Sequence, residues 1–357
     1  MGVVVAMALA KCDSFWGEAN IFSEGPALRD VEGALFVPRV QMLFDDDLNY
    51  GIYDANGYRI VEAAYRRGPG PTYVGSSERS IYNPADFPWA PDENYIYGGI
   101  AYFHYGHFLL ATFSRYWVDP ADTPDAKWIY HFDAPSTHWT GVPFVQQINE
   151  AAGIPSSDVV WLQEPVRLPR LRIPAPAFEE TLQAFAKYRT LGLRVGGNLV
   201  GQETASQSGR PVYITKQLLG NGVRKFVNEE IIADLFDQAG FEIVCPEALS
   251  LKQQIELFEQ RPLIVGMLGS ALHTSIFARR VCPILALNNS SDVQSNFTLI
   301  DGLVNADTTY VYPTDGVLGG DDSSTFLAKF LLRDTRETAA ELLDLARRKL
   351  DGEILFA

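Results

Sequence analysis

The sequence predicts an α/β protein of two domains, with a doubly wound parallel sheet in its C-terminal half. A chain of 357 residues suits two domains of ordinary size. Hydrophobic residues make up 47% of the chain, which is typical of a protein with a well-packed core. From residue 211 onward, short apolar runs alternate with amphipathic segments across short connections. This alternation predicts parallel strands joined by helices.

The elements of the C-terminal half follow one another regularly. The predicted strands are "PVYIT" (211–215), "FEIVC" (241–245), "LIVG" (263–266) and "PILAL" (283–287). The predicted helices are "NEEIIADLFDQAG" (228–240), "SLKQQIELFEQ" (250–260), a short helix after Ser270, and one or two helices within 323–350. Asn228 and Ser250 are the expected N-caps of the first two helices. Because ligands of such sheets bind at the carboxyl ends of the strands, we expect the site there.

The N-terminal half is less regular. Its predicted strands are "ALFVP" (34–38), "WIYHF" (128–132) and "VVWL" (159–162). Apolar residues recur at three- and four-residue steps in "GHFLLATFSRYW" (106–117), which predicts a helix. A second helix is predicted over "FEETLQAFAKYRTLGLR" (178–194), after the proline-punctuated stretch 165–178. The domain boundary is therefore predicted between residues 165 and 210.

Charge and composition exclude several classes of protein. A net charge of −15 argues against nucleic acid as a partner, because the phosphates would be repelled. The three cysteines are widely spaced, which predicts a reducing compartment and no cysteine-based zinc site. No stretch approaches the roughly 18 uninterrupted apolar residues that a membrane helix needs. The first apolar run has no basic residues before it, so a secretory signal is not expected. We expect a soluble, cytoplasmic protein.

The stretch "LIVGMLGSALHTSIFARR" (263–280) carries a glycine motif. A strand leading through Gly266 and Gly269 into a helix would present free backbone N–H groups, which favour an anion. Ser270 adds a hydroxyl group, and His273 follows one helical turn later. The alternative is that both glycines only permit close packing and that His273 is a core residue, because short glycine motifs also occur by chance.

Two further clusters carry candidate chemistry. Lys216 directly follows a predicted strand and Arg224 precedes a helix; together they suit a pyrophosphate, although a solvated basic loop is the alternative. Asn228 and Glu229 either bind the same pyrophosphate or simply cap the helix.

His104 and His107 stand near a helix start, where a histidine can act as a general base. A structural role is the alternative, above all for His104.

Metal binding is not expected. No third ligand accompanies His104 and His107 at a suitable spacing. The acidic run Asp45–Asp47 looks like the cation-binding motif of one class of glycosyltransferases, but it is not set between clear strands and is interpreted as an exposed turn.

Taken in order, the C-terminal segments resemble glycosyltransferase family 61, whose bacterial members are often labelled capsular polysaccharide biosynthesis proteins. The matching segments are "ITK" ending at Lys216, "RKFVNEE" (224–230), "AGFEIV" (239–244), "LSLKQQIELF" (249–258) and "LIVGMLGSALHTSIF" (263–277). In the N-terminal half, "YGHFLLATFSRYW" (105–117) is similar to a family helix with a histidine followed by aliphatic residues and an arginine. The chain departs from the common pattern by having Leu268 where many members have histidine, and Lys216 where arginine is commoner.

The resemblance implies a GT-B architecture, in which two Rossmann-like domains face each other across a cleft. It implies an N-terminal acceptor-binding domain (1–176), a connecting helix (177–200), a nucleotide-sugar-binding domain (201–335) and a terminal helix (336–357) packing near the first domain. The resemblance also implies that the sugar is transferred with inversion and without a cofactor or metal. His107 would then be the base, and His104 and Arg115 would lie on the acceptor side. The residues expected to bind a UDP-linked donor and its phosphates are Lys216, Arg224, Asn228, Glu229, Gly269, Ser270, Ala271, His273 and Thr274.

The implied role is surface polysaccharide synthesis on a glycan or lipid-linked acceptor, with the enzyme peripheral to the inner membrane. Two alternatives remain open: a non-catalytic nucleotide- or glycan-binding homologue, and a pyruvyl-type transferase on a similar frame.

Overall fold

The computed structural model describes residues 8–39, 50–66, 73–74, 76–132, 136–201, 209–219, 225–319 and 329–356. The chain divides into two compact units. The C-terminal unit comprises Met1–Trp16 and Val200–Ala357, and the N-terminal unit comprises Gly17–Leu199.

The elements are numbered in chain order. The strands are β1 (Leu9–Lys11), β2 (Ser14–Trp16), β3 (Asn20–Phe22), β4 (Leu28–Val37), β5 (Gly51–Tyr53), β6 (Tyr65–Arg66), β7 (Tyr73–Val74), β8 (Asn94–Ala101), β9 (Lys127–Phe132), β10 (Val159–Val160), β11 (Val166–Pro174), β12 (Phe178–Glu179), β13 (Gln183–Phe185), β14 (Val212–Ile214), β15 (Lys225–Phe226), β16 (Glu242–Val244), β17 (Ile264–Met267), β18 (Ile284–Leu287), β19 (Asp292–Gln294), β20 (Thr308–Pro313), β21 (Val317–Gly319) and β22 (Lys329–Leu332). The α-helices are α1 (Tyr105–His107), α2 (Ser136–Trp139), α3 (Pro143–Ala152), α4 (Ala186–Val200), α5 (Glu229–Gln238), α6 (Leu251–Gln260), α7 (Ser295–Val304) and α8 (Thr335–Leu350).

The main sheet of the C-terminal unit has the strand order β16-β14-β17-β18-β20-β1. All strands except β1 are parallel, and β1 lies antiparallel to β20 at one edge. The four predicted strands of this half are present as β14, β16, β17 and β18. Their parallel order, 2-1-3-4-5 with β20, is that of a doubly wound sheet, and such a sheet has its switch point between the first and third strands. In this unit the switch point lies between β14 and β17.

Helices cover this sheet through apolar side chains. Phe236 of α5 and Leu342 of α8 belong to one buried cluster with Tyr213 and Val265 of the sheet. Helix α6 begins as predicted, with a capping box in which Ser250 accepts from the Gln253 N–H and the Gln253 side chain accepts from the Ser250 N–H.

The end of the chain differs from the prediction. The segment "SSTFLAKFLLRD" was expected to be helical, but its described part contains strand β22, which pairs with β15 and β21. Phe330 and Leu332 are buried while their neighbours are exposed, which is the two-residue period of a strand.

Helix α8 packs within its own unit. It lies against α5 and β1, and the Glu341 carboxylate accepts from the Leu9 N–H at 3.0 Å. Residues 9–16 therefore belong with the C-terminal unit, whereas the sequence had assigned them to the first domain. The expected approach of the terminal helix to the N-terminal domain stays a prediction.

The N-terminal unit contains a second six-stranded sheet, in the order β10-β9-β8-β11-β4-β5. The first four strands are parallel, β4 is antiparallel to β11, and β5 is antiparallel to β4. Strands β4, β9 and β10 correspond to the three predicted strands. The core on one face includes Phe36, Tyr97, Ile129 and Leu171.

The helix predicted over 106–117 is broken into three short turns. One α-helical turn, α1, is followed by a π-helical turn, Phe108–Thr112, and a 3-10 turn, Phe113–Arg115. Every residue from Phe108 to Arg115 is buried, so the segment lies inside the core and has no solvent-facing stripe. π-Helical turns occur often at functional sites.

The second helix predicted in this half begins later than expected. Residues 178–185 form the hairpin β12–β13, and helix α4 starts only at Ala186. Within the described ranges, no helix combines the length and hydropathy that crossing a membrane requires.

Candidate active site

Lys216 and the glycine motif meet at the switch point of the C-terminal sheet. Lys216 follows β14, and Leu268 follows the neighbouring parallel strand β17. The Lys216 ammonium donates to the Leu268 carbonyl oxygen at 2.7 Å. A cation is therefore held at the carboxyl ends of two central strands, where doubly wound sheets bind their ligands.

The two glycines of the motif have different roles. A Cβ atom on Gly266 would lie 2.6 Å from the Ile214 carbonyl oxygen, so this glycine lets β17 lie close to β14. A Cβ atom on Gly269 would lie 2.6 Å from Cε and 2.7 Å from Nζ of Lys216. Gly269 therefore leaves the room that the lysine side chain occupies.

The short helix predicted after Ser270 is present as an eight-residue 3-10 helix, Ser270–Phe277. Gly269, Ser270 and Ala271 are half-buried, so the start of this helix is accessible beside Lys216. His273 is 4% exposed and stacks on the Phe297 ring with centroids 4.5 Å apart. Thr274 is fully buried. Of the predicted donor residues in this motif, the first three reach the surface and the last two lie in the core.

Glu229 supports the lysine from inside the unit. Its carboxylate accepts from the Lys216 backbone N–H at 3.1 Å and from the Tyr213 hydroxyl at 3.2 Å. Glu229 is 2% exposed, and burial raises the pKa of its carboxyl. Burial has the opposite effect on a cation and lowers the pKa of Lys216 to about 8, although the nearby Glu229 carboxylate acts to raise it. Glu229 thus fixes the turn that carries Lys216 and does not cap α5.

The remaining predicted donor residues differ in what they contact. The Asn228 amide donates to the Leu332 carbonyl oxygen and the Thr335 hydroxyl, and makes no side-chain cap for α5. Asn228 therefore ties α5 to the start of α8, which corrects its expected role as a cap. Arg224 and the acidic run Asp45–Asp47 lie outside the described residues.

In the N-terminal unit, His107 contacts a buried carboxylate that the sequence did not reveal. His107 Nδ1 lies 3.2 Å from Glu180 Oε1. The Glu180 side chain is 3% exposed and also accepts from the Tyr65 hydroxyl at 2.5 Å. A histidine whose Nδ1 donates to a carboxylate carries its lone pair on Nε2, which is the arrangement of a general base.

His104 lies beside His107, with ring centroids 5.3 Å apart. Burial, with a smaller contribution from His107, lowers the pKa of His104 to about 4. His104 is therefore neutral near pH 7 and adds no charge to the site. Among the residues that the structure describes, no group of three or more His, Cys, Asp or Glu side chains is arranged to hold a metal ion.

Arg115 does not face the surface as expected for the acceptor side. It is 3% exposed, and its guanidinium donates to the backbone carbonyl oxygens of Glu62, Ala63, Ala64 and Pro174. Because these carbonyls belong to the segment 62–64 and to the end of β11, Arg115 braces the backbone of the N-terminal unit.

The comparisons with known proteins give one family. The glycosyltransferase 61 family model matches residues 105–285, a span that includes His107, Glu180, Lys216 and the glycine motif. No curated protein matches the chain. Glycosyltransferases of this family use a sugar donor and, in general, a glycan acceptor. Since the match covers half of the sequence, the chain belongs to glycosyltransferase family 61.

Proposed function

We propose that this glycosyltransferase inverts the anomeric centre while moving a sugar from a UDP-linked donor to a glycan or lipid-linked acceptor. The observation that carries the proposal is the Lys216 ammonium, held 2.7 Å from the Leu268 carbonyl oxygen beside the accessible residues 269–271. Lys216 places a positive charge at the switch point of an otherwise acidic protein. That charge attracts a diphosphate to this position.

The donor binds through its diphosphate in this proposal. The Lys216 ammonium neutralises charge on the β-phosphate, and the hydroxyl of Ser270 and the backbone N–H groups at the start of the 3-10 helix donate to its oxygens. These groups stabilise the negative charge that builds up on the leaving diphosphate. We propose that they do so without a resident metal ion or cofactor.

The acceptor is activated by His107 in the N-terminal unit. Nε2 of His107 takes the proton of the acceptor hydroxyl as that oxygen attacks the anomeric carbon and the bond to the β-phosphate oxygen breaks. A single displacement of this kind inverts the configuration at the anomeric carbon. His104 lies beside the base and lines the acceptor side.

The proposed architecture is GT-B, with the donor on the C-terminal unit and the acceptor on the N-terminal unit. Its support is that each unit has its own sheet with a parallel core. We further propose a cytoplasmic enzyme, peripheral to the inner membrane, that acts in surface or capsular polysaccharide synthesis, because a lipid-linked acceptor is presented there.

A binding and turnover screen tests the proposal. Wild-type protein is mixed with UDP-, GDP- and ADP-sugars and with phosphoenolpyruvate, and both the rise in Tm and the release of nucleotide diphosphate are recorded. We expect a UDP-sugar to raise Tm and to be hydrolysed slowly without acceptor. Release of UDP should fall by roughly 100-fold or more in His107→Ala. The exposed His138, changed to alanine, is the matched control.

Three results would contradict the proposal. Full activity in His107→Ala would remove the proposed base. Turnover of phosphoenolpyruvate alone would favour a pyruvyl transferase, and nucleotide binding without any turnover would favour a non-catalytic binding protein.

A further inference from the structure

Glu180 lies in the tight turn that joins β12 and β13. The Leu182 N–H donates to the Glu179 carbonyl oxygen at 3.2 Å and closes the turn. Thr181 occupies the left-handed region with a φ of 58°, which is uncommon for a β-branched residue. Residues held in such conformations cluster at functional sites.

Other contacts hold this turn in place. Thr181 is 1% exposed, its hydroxyl donates to the Glu180 carbonyl oxygen at 2.7 Å, and its own carbonyl oxygen accepts from the Glu18 N–H at 2.9 Å. Strand β13, which follows the turn, pairs with β3. These contacts hold Thr181 in its unfavourable backbone conformation. They thereby also fix the direction of the Glu180 side chain.

Two side chains contact the same oxygen atom of the Glu180 carboxylate. Tyr65 donates its hydroxyl to Oε1 at 2.5 Å, and His107 Nδ1 lies 3.2 Å from the same atom. An oxygen that already accepts from Tyr65 acts as the acceptor toward the imidazole as well. Nδ1 of His107 is therefore the protonated nitrogen of the neutral ring.

We infer that Glu180 is a positioning residue for His107, which it holds as the Nδ1–H tautomer with Nε2 as the basic nitrogen. This inference rests on the proposed role of His107 as the base. The carboxylate also stabilises the imidazolium ion that forms when Nε2 takes the acceptor proton. Glu180 touches neither substrate in this scheme and acts only through His107.

The tautomer of His107 is directly measurable in the whole protein without any substrate. The chain has five histidines, so an NMR spectrum of the protein with ¹⁵N-labelled histidine rings is simple, and His107→Ala identifies the His107 signals. We expect the wild type to carry its proton on Nδ1 and Glu180→Gln to shift the proton toward Nε2. A wild-type His107 with its proton on Nε2 would overturn the inference, even if Glu180→Gln did not fold.

Kinetics separates this inference from the proposed function. Release of UDP is followed with the UDP-sugar that the wild type turns over fastest. We expect Glu180→Gln to lower kcat by roughly 100- to 10,000-fold with little change in donor KM, because the wrong tautomer cannot take the proton. Glu179→Gln is the matched control, since Glu179 pairs with Arg66 at 3.5 Å and is the neighbouring carboxylate in the same turn. It should keep wild-type kcat.

The two ideas fail in different ways. If His107→Ala keeps its activity, the proposed base is wrong. If His107→Ala is inactive while Glu180→Gln keeps wild-type kcat, the base stands and the positioning role of Glu180 is wrong.

Discussion

The Lys216 ammonium lies 2.7 Å from the Leu268 carbonyl oxygen, across the ends of two neighbouring parallel strands. Gly269 makes this contact feasible, because a side chain there would overlap the lysine. The motif around Gly269 therefore serves both close packing and the placement of a cation. The sequence left open whether these glycines permit close packing or present backbone N–H groups to an anion. The packing is seen at Gly266, and anion binding stays a prediction.

Binding of UDP should depend on the charge of Lys216. Burial lowers the pKa of Lys216 to about 8, below the 10.5 of an ordinary lysine, so the ammonium loses its proton as the pH rises above 8. We expect the affinity for UDP to fall by roughly 10- to 30-fold between pH 7 and 9.5. Titration calorimetry across this range measures the fall. Lys216→Arg, which stays charged, should bind UDP with little dependence on pH.

Gly269→Ala should weaken UDP binding without unfolding the protein. The new methyl group would meet the flexible end of the Lys216 side chain, which can move aside at little cost in stability. The displaced ammonium should lower UDP affinity by about tenfold, as expected for a lost charge-assisted contact. Gly319→Ala is the control, because no atom of the described residues lies within 4 Å of its Cβ position. Equal affinities in the two variants would contradict the prediction.

Arg115→Lys should reduce stability and not acceptor binding. An ammonium cannot reach all four carbonyl oxygens that the guanidinium bonds, so buried acceptors are left without donors. We expect urea unfolding to show a loss of about 2–4 kcal/mol. Arg29→Lys should change little, since Arg29 forms an exposed pair with Glu62. A raised acceptor KM at unchanged stability would argue against this structural role.

His131→Phe should stabilise the protein, and more so in acid. His131 is 1% exposed and stacks on Phe36, and within the described residues neither ring nitrogen has a hydrogen-bond partner. Burial lowers its pKa to about 3 from 6.5, so the unfolded chain binds the extra proton and stability falls as the pH drops below 6.5.

The variant lacks this titration. Its advantage over the wild type should be larger at pH 5 than at pH 7.5, by on the order of 2 kcal/mol. Urea unfolding at both pH values measures the difference, with the exposed His138→Phe as the control. An advantage that is the same at both pH values would show that His131 does not titrate as described.

Local patterns in the sequence predicted much of the C-terminal unit. The buried strands appear as short apolar runs, and the Ser250–Gln253 capping box marks the start of α6 within four residues. The sequence could predict that Lys216 lies at the carboxyl end of a parallel strand, and such ends bind ligands whatever the details of packing.

The failures share a cause, since each depends on contacts distant in sequence. Glu180 is separated from His107 by 73 residues. The sequence around it, an acidic pair beside an apolar residue, has the same pattern as the start of a helix, so the pattern did not indicate a contact with His107. Strand β22 exists because it pairs with β15 and β21, which overrides the helical propensity of "FLAKFLL". Arg115 is buried because it bonds carbonyl oxygens of residues 62–64 and of Pro174 at the end of β11, which no periodicity in 106–117 reveals.

We propose that a nucleotide diphosphate binds at the ends of β14 and β17. The most direct test of this proposal is a calorimetric titration of the wild type and of Lys216→Met with UDP at pH 7. We expect a micromolar Kd for the wild type and binding at least about tenfold weaker for Lys216→Met. Equal affinity of the two proteins for UDP, or no binding of UDP to the wild type, would contradict it.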